Sequence, residues 1–188
     1  MPTPIPVSSQ KRLLRLISAR TDVVYSASAF RRFMATDCDE DRYHFLVSMV
    51  LAYCRPFTNN DGIGSLKCEY PAFPDFPDAE LNERHERMWA LRNRFLGHSS
   101  IEGTRVWLLA PGSVHPATKV PVSGYDYAVA KLHFMDLDFA NWLHDVVVAV
   151  LNRLTSDIPV VCKEIGSNYL KDGELCIIDS GKPFKWTK

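Results

Sequence analysis

The sequence predicts a mainly α-helical protein with one small β-hairpin. Most of the chain repeats apolar residues at spacings of three and four, the pattern of helices with one buried face. Two short stretches rich in Val, Leu, Tyr and Phe, 104–110 and 127–134, interrupt that pattern, and a segment containing Gly and Pro separates them. This arrangement is typical of two antiparallel strands joined as a hairpin.

The first half of the chain predicts three helices and a long loop. Apolar spacing indicates one helix over 10–19 and a second over 23–34. The third helix is expected over 39–53, since the acidic cluster that precedes it suits a helix N-terminus, where carboxylates accept hydrogen bonds from free backbone N–H groups. Pro56 is expected to end this helix. The following stretch, 57–78, is rich in Asn, Gly and Pro and predicts a long loop.

The second half predicts two more helices around the hairpin. Asp78 is expected to start the most regular helix, 79–96, with Gly97 as its C-terminal cap. After the hairpin, 136–154 predicts a structural helix with one apolar side. The remaining apolar residues, among them Val160, Val161 and Ile165, indicate an edge strand or a packed arm without a function of its own.

Length and composition favour one globular domain. The 188 residues are 46% hydrophobic and 23% charged, close to ordinary globular usage. We expect a flexible N-terminus over 1–9, a helical domain over 10–156 and a C-terminal arm or extension over 157–188. Basic and acidic residues both number 22, so any contact with nucleic acid would have to be local.

The sequence contains no signal for export, a membrane or a cofactor. The Pro-rich start lacks a basic stretch followed by an apolar one, and no window approaches the roughly 18 apolar residues of a membrane helix. The five cysteines are scattered, without a Cys-x-x-Cys pair, and the histidines show no ligand spacing. We therefore expect a cytoplasmic protein with reduced thiols and neither a metal nor a cofactor.

The functional hypothesis begins with Arg92. At roughly 100° per residue, Arg92 falls near the middle of the apolar arc that includes Met88, Leu91 and Phe95. A guanidinium among apolar side chains is costly unless an anion meets it. That anion could be a phosphate from outside or a carboxylate of the protein. The candidate carboxylates are Glu86, Asp136 and Asp145.

His98 follows Gly97 directly, so its side chain could turn back toward Arg92 across about 9 Å of helix axis. A histidine can accept and return a proton near neutral pH, and an arginine can hold a phosphate through two parallel hydrogen bonds. Asn93 could orient either group or the substrate. These residues suit metal-independent cleavage of RNA by its own 2′-hydroxyl. The alternative for His98 is an interaction with the last carbonyls of the helix.

Basic residues of the same helix are candidates for RNA contact. Arg84, Arg87 and Arg94 are expected to form an exposed stripe, as a weak RNA track or as solvated charge interleaved with glutamates. Arg87, Arg94 and Ser99 are the candidate RNA-binding residues. His85 is expected to be a core or interface residue rather than a ligand.

The motif Leu91-Arg92-Asn93-Arg94-Phe95-Leu96-Gly97-His98-Ser99 resembles the signature of the HEPN superfamily. In that family an Arg, a polar residue and a His that follows the Arg after four to six positions form the motif, and five residues intervene here. The segment 52–57 is also similar to a helix ending in HEPN-like proteins of the abortive-infection type.

The resemblance implies a helical bundle, usually a homodimer, that brings two Arg and His pairs to a shared cleft. It implies an endoribonuclease of a toxin or antiphage system, with RNA and an antitoxin or regulator as partners. The alternative is a non-catalytic helical module that binds a protein, a nucleotide or RNA, since many members of the superfamily are binding modules.

Overall fold

A computed structural model of the chain describes residues 5–59, 64–96, 104–116, 118–131 and 136–173, together with residues 176 and 178. These residues form four α-helices and one two-stranded antiparallel sheet. The elements, in chain order, are α1 (Val7–Ala35), α2 (Asp39–Cys54), α3 (Ala79–Ala90), β1 (Thr104–Leu109), β2 (Asp126–Lys131) and α4 (Leu137–Tyr169). The predicted class, a mainly helical bundle with a small hairpin after the motif helix, is confirmed.

The core lies where α1 packs against both α2 and α4, with α3 against α4. The core consists mainly of apolar side chains. The largest fully buried ones include Tyr53, Phe33, Leu16, Met49, Leu143 and Leu154. A polar contact joins α1 to α2 inside this core, because the buried Ser26 hydroxyl donates to the Met49 carbonyl at 2.8 Å. The resulting body holds the end of α2 and the end of α3 next to each other.

The helix α1 is continuous, so the prediction of two helices over 10–19 and 23–34 is wrong. The polar stretch between them contains neither Gly nor Pro, and the Thr21 hydroxyl donates to the Ile17 carbonyl one turn earlier, at 3.0 Å. Ala19 and Val23 on either side are both buried. Polarity in the middle of this helix therefore marks its solvent face, where Asp22 also meets Arg55 at 2.9 Å.

The helix α4 continues to Tyr169, fifteen residues beyond the predicted end at Leu154. Val160, Val161 and Ile165, expected in a strand or arm, lie within it, and the expected domain boundary at 156/157 falls inside the helix. Pro159 removes one N–H donor but does not end the helix. Val161 and Ile165 are buried in the common core, and this packing stabilises the extra turns.

The loop before α3 and the hairpin lie close to the positions that the sequence predicts for them. The loop between α2 and α3 contains two short 3₁₀ turns, Arg55–Phe57 and Leu66–Cys68. In the hairpin, Leu108 pairs with Tyr127, and the next pair is Trp107 with Ala128. Leu109 and Ala128 are buried, whereas Leu108 and Tyr127 are exposed on the other face. Among the described residues, no helix has both the length and the apolar composition needed to cross a membrane.

Candidate functional site

The backbone changes character where the motif begins. Asp78 starts α3 as predicted, its carboxylate accepting from the Glu80 N–H at 2.9 Å. The α-helix ends at Ala90, and Leu91–Leu96 form a π-helical turn, so the prediction of one regular helix over 79–96 is wrong for its last six residues. A π turn uses wider i→i+5 hydrogen bonds, is rare, and often occurs at functional sites. Arg92 and Asn93 both lie on this widened turn.

Arg92 is half-buried and is held by two uncharged neighbours. Its Nη1 donates to the Asn93 Oδ1 at 2.7 Å. Its guanidinium carbon lies 5.6 Å from the centre of the Trp89 ring, within the range of a cation–π contact. These contacts fix the direction of the guanidinium without neutralising its charge, because an amide oxygen and an indole face are both uncharged.

The three carboxylates proposed as internal partners of Arg92 do not meet it. Asp145 lies 3.0 Å from Arg84, and Asp136 caps α4 by accepting from the Asp138 N–H at 2.8 Å. Glu86 is exposed on α3. Within the part of the chain that the structure describes, no carboxylate ion-pairs with Arg92. The internal salt bridge considered for this residue is therefore not formed there.

The last residue of α2, Cys54, lies beside the motif and carries no reactive thiolate. Its buried Sγ donates to the Met88 carbonyl of α3 at 3.6 Å. Burial raises the pKa of the Cys54 thiol to about 12, although the nearby positive charge of Arg92 acts in the opposite direction. The thiol therefore stays protonated and serves as a packing group that links α2 to α3.

The prediction that His85 is a core or interface residue is confirmed, and the structure places it in the core. It is 3% exposed, and the fully buried Tyr53 hydroxyl lies 2.8 Å from its Nδ1. The rings of Phe57 and Phe73 each lie 4.9 Å away and nearly perpendicular to the imidazole. Burial lowers the pKa of His85 from 6.5 to about 4, and the positive charge of Lys67 acts in the same direction. His85 is thus neutral at physiological pH and joins α3 to the end of α2.

The expected basic stripe is only partly present. The Arg84 side chain is 11% exposed, and it ion-pairs with Glu80 at 2.8 Å as well as with Asp145. It also lies over the Trp142 ring of α4, with its guanidinium carbon 5.4 Å from the ring centre. The prediction of an exposed Arg84 is therefore wrong, because α4 supplies a carboxylate and an indole face. Arg87 is exposed, as expected.

Three of the predicted site residues lie wholly or partly outside the described residues. His98 and Ser99 lie outside the described residues, and so does the side chain of Arg94, whose backbone belongs to the π turn. Arg92 and Asn93 are together, whereas Arg87 contributes exposed charge one turn earlier on α3. Trp89 lies three residues before Arg92, a spacing that puts the two side chains on neighbouring positions of one helix face.

Comparison of the chain with protein-family models, with curated proteins and with solved structures found no significant match. A guanidinium that uncharged neighbours hold in one orientation can bind an oxyanion such as a phosphate through charge-assisted hydrogen bonds. Among the described residues, no group of three or more His, Cys, Asp and Glu side chains lies close enough together to hold a metal ion.

Proposed function

We propose that this chain is a HEPN-like RNA-binding protein that cleaves RNA without a metal ion. The observation that carries the proposal is the half-buried Arg92, which is oriented by Asn93 and Trp89 and has no carboxylate partner among the described residues. Removing a guanidinium partly from water without an anion is unfavourable, so this charge is available for a ligand phosphate. The spacing of Arg92 and His98 in the sequence supports the same proposal.

In the proposed reaction, His98 acts first as a general base and then as a general acid. It takes the proton of a ribose 2′-hydroxyl, whose oxygen attacks the adjacent phosphorus. The bond from phosphorus to the 5′-oxygen of the next nucleotide breaks, and His98 returns a proton to that oxygen. The products are a 2′,3′-cyclic phosphate and a free 5′-hydroxyl. Arg92 stabilises the negative charge that grows on the phosphate oxygens, and Asn93 keeps the guanidinium aimed at them.

The proposal includes the setting that the resemblance implies. Two copies would form a homodimer with both pairs of Arg92 and His98 facing one cleft, where Arg87, Arg94 and Ser99 contact the RNA backbone. We further propose that the protein acts in the cytoplasm as a toxin or an antiphage effector and that an antitoxin or another regulator restrains it. No cofactor takes part in the proposed reaction.

The test is cleavage of a single-stranded RNA in the presence of a metal chelator, with the product ends identified chemically. We expect cyclic phosphate ends, and we expect Arg92→Gln and His98→Ala each to reduce the rate by about a hundredfold or more, the effect of removing one group that stabilises a transition state. Arg87→Gln is the matched control, since it removes an exposed guanidinium from the same helix. It should weaken RNA binding only severalfold.

Three outcomes separate the parts of the proposal. Equal cleavage by His98→Ala and the parent protein would end the catalytic claim. Equal RNA affinity of Arg92→Gln and the parent, in a binding assay at fixed salt, would end the claim that Arg92 receives a phosphate. Sedimentation of the parent protein as a monomer at assay concentrations would contradict the shared cleft.

One observation favours a second candidate function, a non-catalytic interaction module. The outer face of the hairpin exposes the cross-strand pair Leu108 and Tyr127, and Leu108 is 89% exposed. Tyr125, two residues before Tyr127 in the chain, is exposed as well. Exposed apolar clusters of this kind are typical of binding surfaces. If that is the main function, Leu108→Ser would abolish the biological effect of the protein while Arg92→Gln and His98→Ala would leave it unchanged.

A further inference from the structure

A second concave site lies on a different part of the bundle, between the first turns of α1, the loop before α3 and the last third of α4. Its volume is about 250 Å³. Leu16 and Val161, both 2% exposed, contribute apolar lining. Arg12, Glu69, Tyr70 and Asp157 contribute polar lining, and no residue of α3 or of the π turn takes part.

Most of the charged groups at this pocket satisfy one another. Arg12 lies 3.0 Å from Glu69 through Nε and 3.0 Å from Glu164 through Nη1. Glu69 also accepts from the Arg15 guanidinium through its other oxygen. Both carboxylate oxygens of Glu69 and two separate nitrogens of Arg12 are therefore already occupied, so neither side chain is the first choice for a ligand.

Asp157 is the exception. One of its oxygens accepts from the Tyr70 hydroxyl at 2.5 Å, and no Lys or Arg of the described residues lies within ion-pairing distance of it. The nearby Arg153 instead pairs with Asp75 and lies 4.1 Å above the Tyr70 ring. Burial and the Asp157 charge raise the pKa of Tyr70 well above its usual value, so the phenol remains a donor. Asp157 thus keeps a second oxygen without a hydrogen-bond or ion-pair partner among the described residues, and Arg153, which attracts it through charge, makes its own ion pair with Asp75.

The geometry points to a binding site for an aliphatic primary ammonium group, with the nitrogen against Asp157 and the methylenes on Leu16 and Val161. The carboxylates of Glu69, Asp75, Asp157 and Glu164 exceed the guanidiniums of Arg12, Arg15 and Arg153 by one negative charge, which favours a cation over an anion. The volume equals that of about eight waters at roughly 30 Å³ each, enough for a chain of four or five carbons.

A single available carboxylate oxygen suits an ammonium group better than a divalent metal ion, which takes several oxygen ligands. The ammonium could belong to a free diamine or to the lysine side chain of a peptide, since both present the same group on a short aliphatic stem. The proposal concerns a site separate from Arg92 and does not depend on the proposed RNA chemistry.

The test is titration of the full chain, followed by the methyl resonances of Leu16 and Val161, with 1,4-diaminobutane and with Nα-acetyl-lysine N-methylamide. We expect saturable shifts with at least one of the two, while the methyls of Val23 stay unchanged because Val23 lies elsewhere in the core. The compound that binds more tightly identifies the source of the ammonium group. Neutral 1-butanol and acetate should give no saturable shift.

Asp157→Asn should weaken the binding by tenfold or more, because it removes the charge that the ammonium group meets. Asp138→Asn is the matched control, since it makes the same change at an exposed position in the first turn of α4, and it should alter the affinity less than twofold. If neither amine gives saturable shifts in the unmodified protein, that result by itself overturns the proposal. Preferential binding of acetate, or equal amine affinity of Asp157→Asn and the parent, overturns it as well.

Discussion

Acidification should destabilise this protein through His85. The unfolded chain binds a proton at the imidazole below about pH 6.5, whereas the folded protein resists it until about pH 4. The stability that the neutral imidazole contributes is therefore fully present above the unfolded pKa and is lost as the pH falls from 6.5 to 4. At 1.36 kcal/mol per pKa unit, this difference corresponds to about 3 kcal/mol over the whole window.

The structural cause is the surroundings of the imidazole. Among the described residues, the side chain of His85 has one hydrogen-bond partner, the Tyr53 hydroxyl at 2.8 Å, and the rings of Phe57 and Phe73 lie against the imidazole. Charged groups lie farther out, with Lys67 opposing protonation. A positive charge at this position would have no carboxylate partner among the groups that touch it, so desolvation is not offset.

The assay is urea unfolding at about pH 7 and about pH 4.5, with the free energy of unfolding compared within each variant. The parent should lose about 2 kcal/mol through His85 between these two values, and His85→Gln should not show that loss. Comparing each variant with itself removes any general destabilisation that the substitution causes. His44→Gln, an exposed histidine on α2, is the matched control and should keep the pH dependence of the parent.

Burial also lowers the pKa of His144, which stacks on Phe30 with ring centres 3.9 Å apart. This second group acts in the same direction as His85, so His144→Gln is measured in parallel. The result that would refute the reasoning is the same loss of stability on acidification in His85→Gln and in the parent. The burial of His85 would then not be the source of the acid sensitivity.

Three further predictions concern stability at neutral pH, each measured as a change in the free energy of unfolding by urea. Ser26→Ala should cost about 1 kcal/mol, because it removes the hydrogen bond to the Met49 carbonyl across the α1–α2 contact; an unchanged midpoint would contradict that role. Leu154→Ala should cost about 2–5 kcal/mol, since the side chain is fully buried; a loss below that range would mean that the site collapses around the smaller residue. Asp78→Ala should cost about 1 kcal/mol by removing the cap that accepts from the Glu80 N–H, and Asp78→Ser should recover most of it.

Part of the candidate site could be predicted from the sequence. The burial of His85 agrees with the expectation of a core or interface residue, whereas Arg92, predicted on a regular α-helix, lies half-buried on the π turn. The sequence could not decide whether Arg92 meets a carboxylate of the protein or a phosphate from outside. Ion pairs such as Arg84 with Asp145 join residues far apart in the chain, beyond the range of a local pattern. The contact between Trp89 and Arg92 could have been predicted from their spacing of three residues on a helix. The π turn could not, because the spacing of apolar residues does not distinguish it from an α-helix.

By itself, the sequence determined the helical class, the hairpin and the start of α3, because apolar spacing, turn residues and an Asp cap act over a few neighbouring residues. Only the tertiary structure decided that α1 is unbroken, that α4 runs past Pro159 and that Arg84 is covered. It also decided that Tyr70 meets Asp157, 87 residues away in the chain. These features depend on which side chains the folded helices bring together, and burial among such partners outweighs local preferences that differ by at most a few kcal/mol.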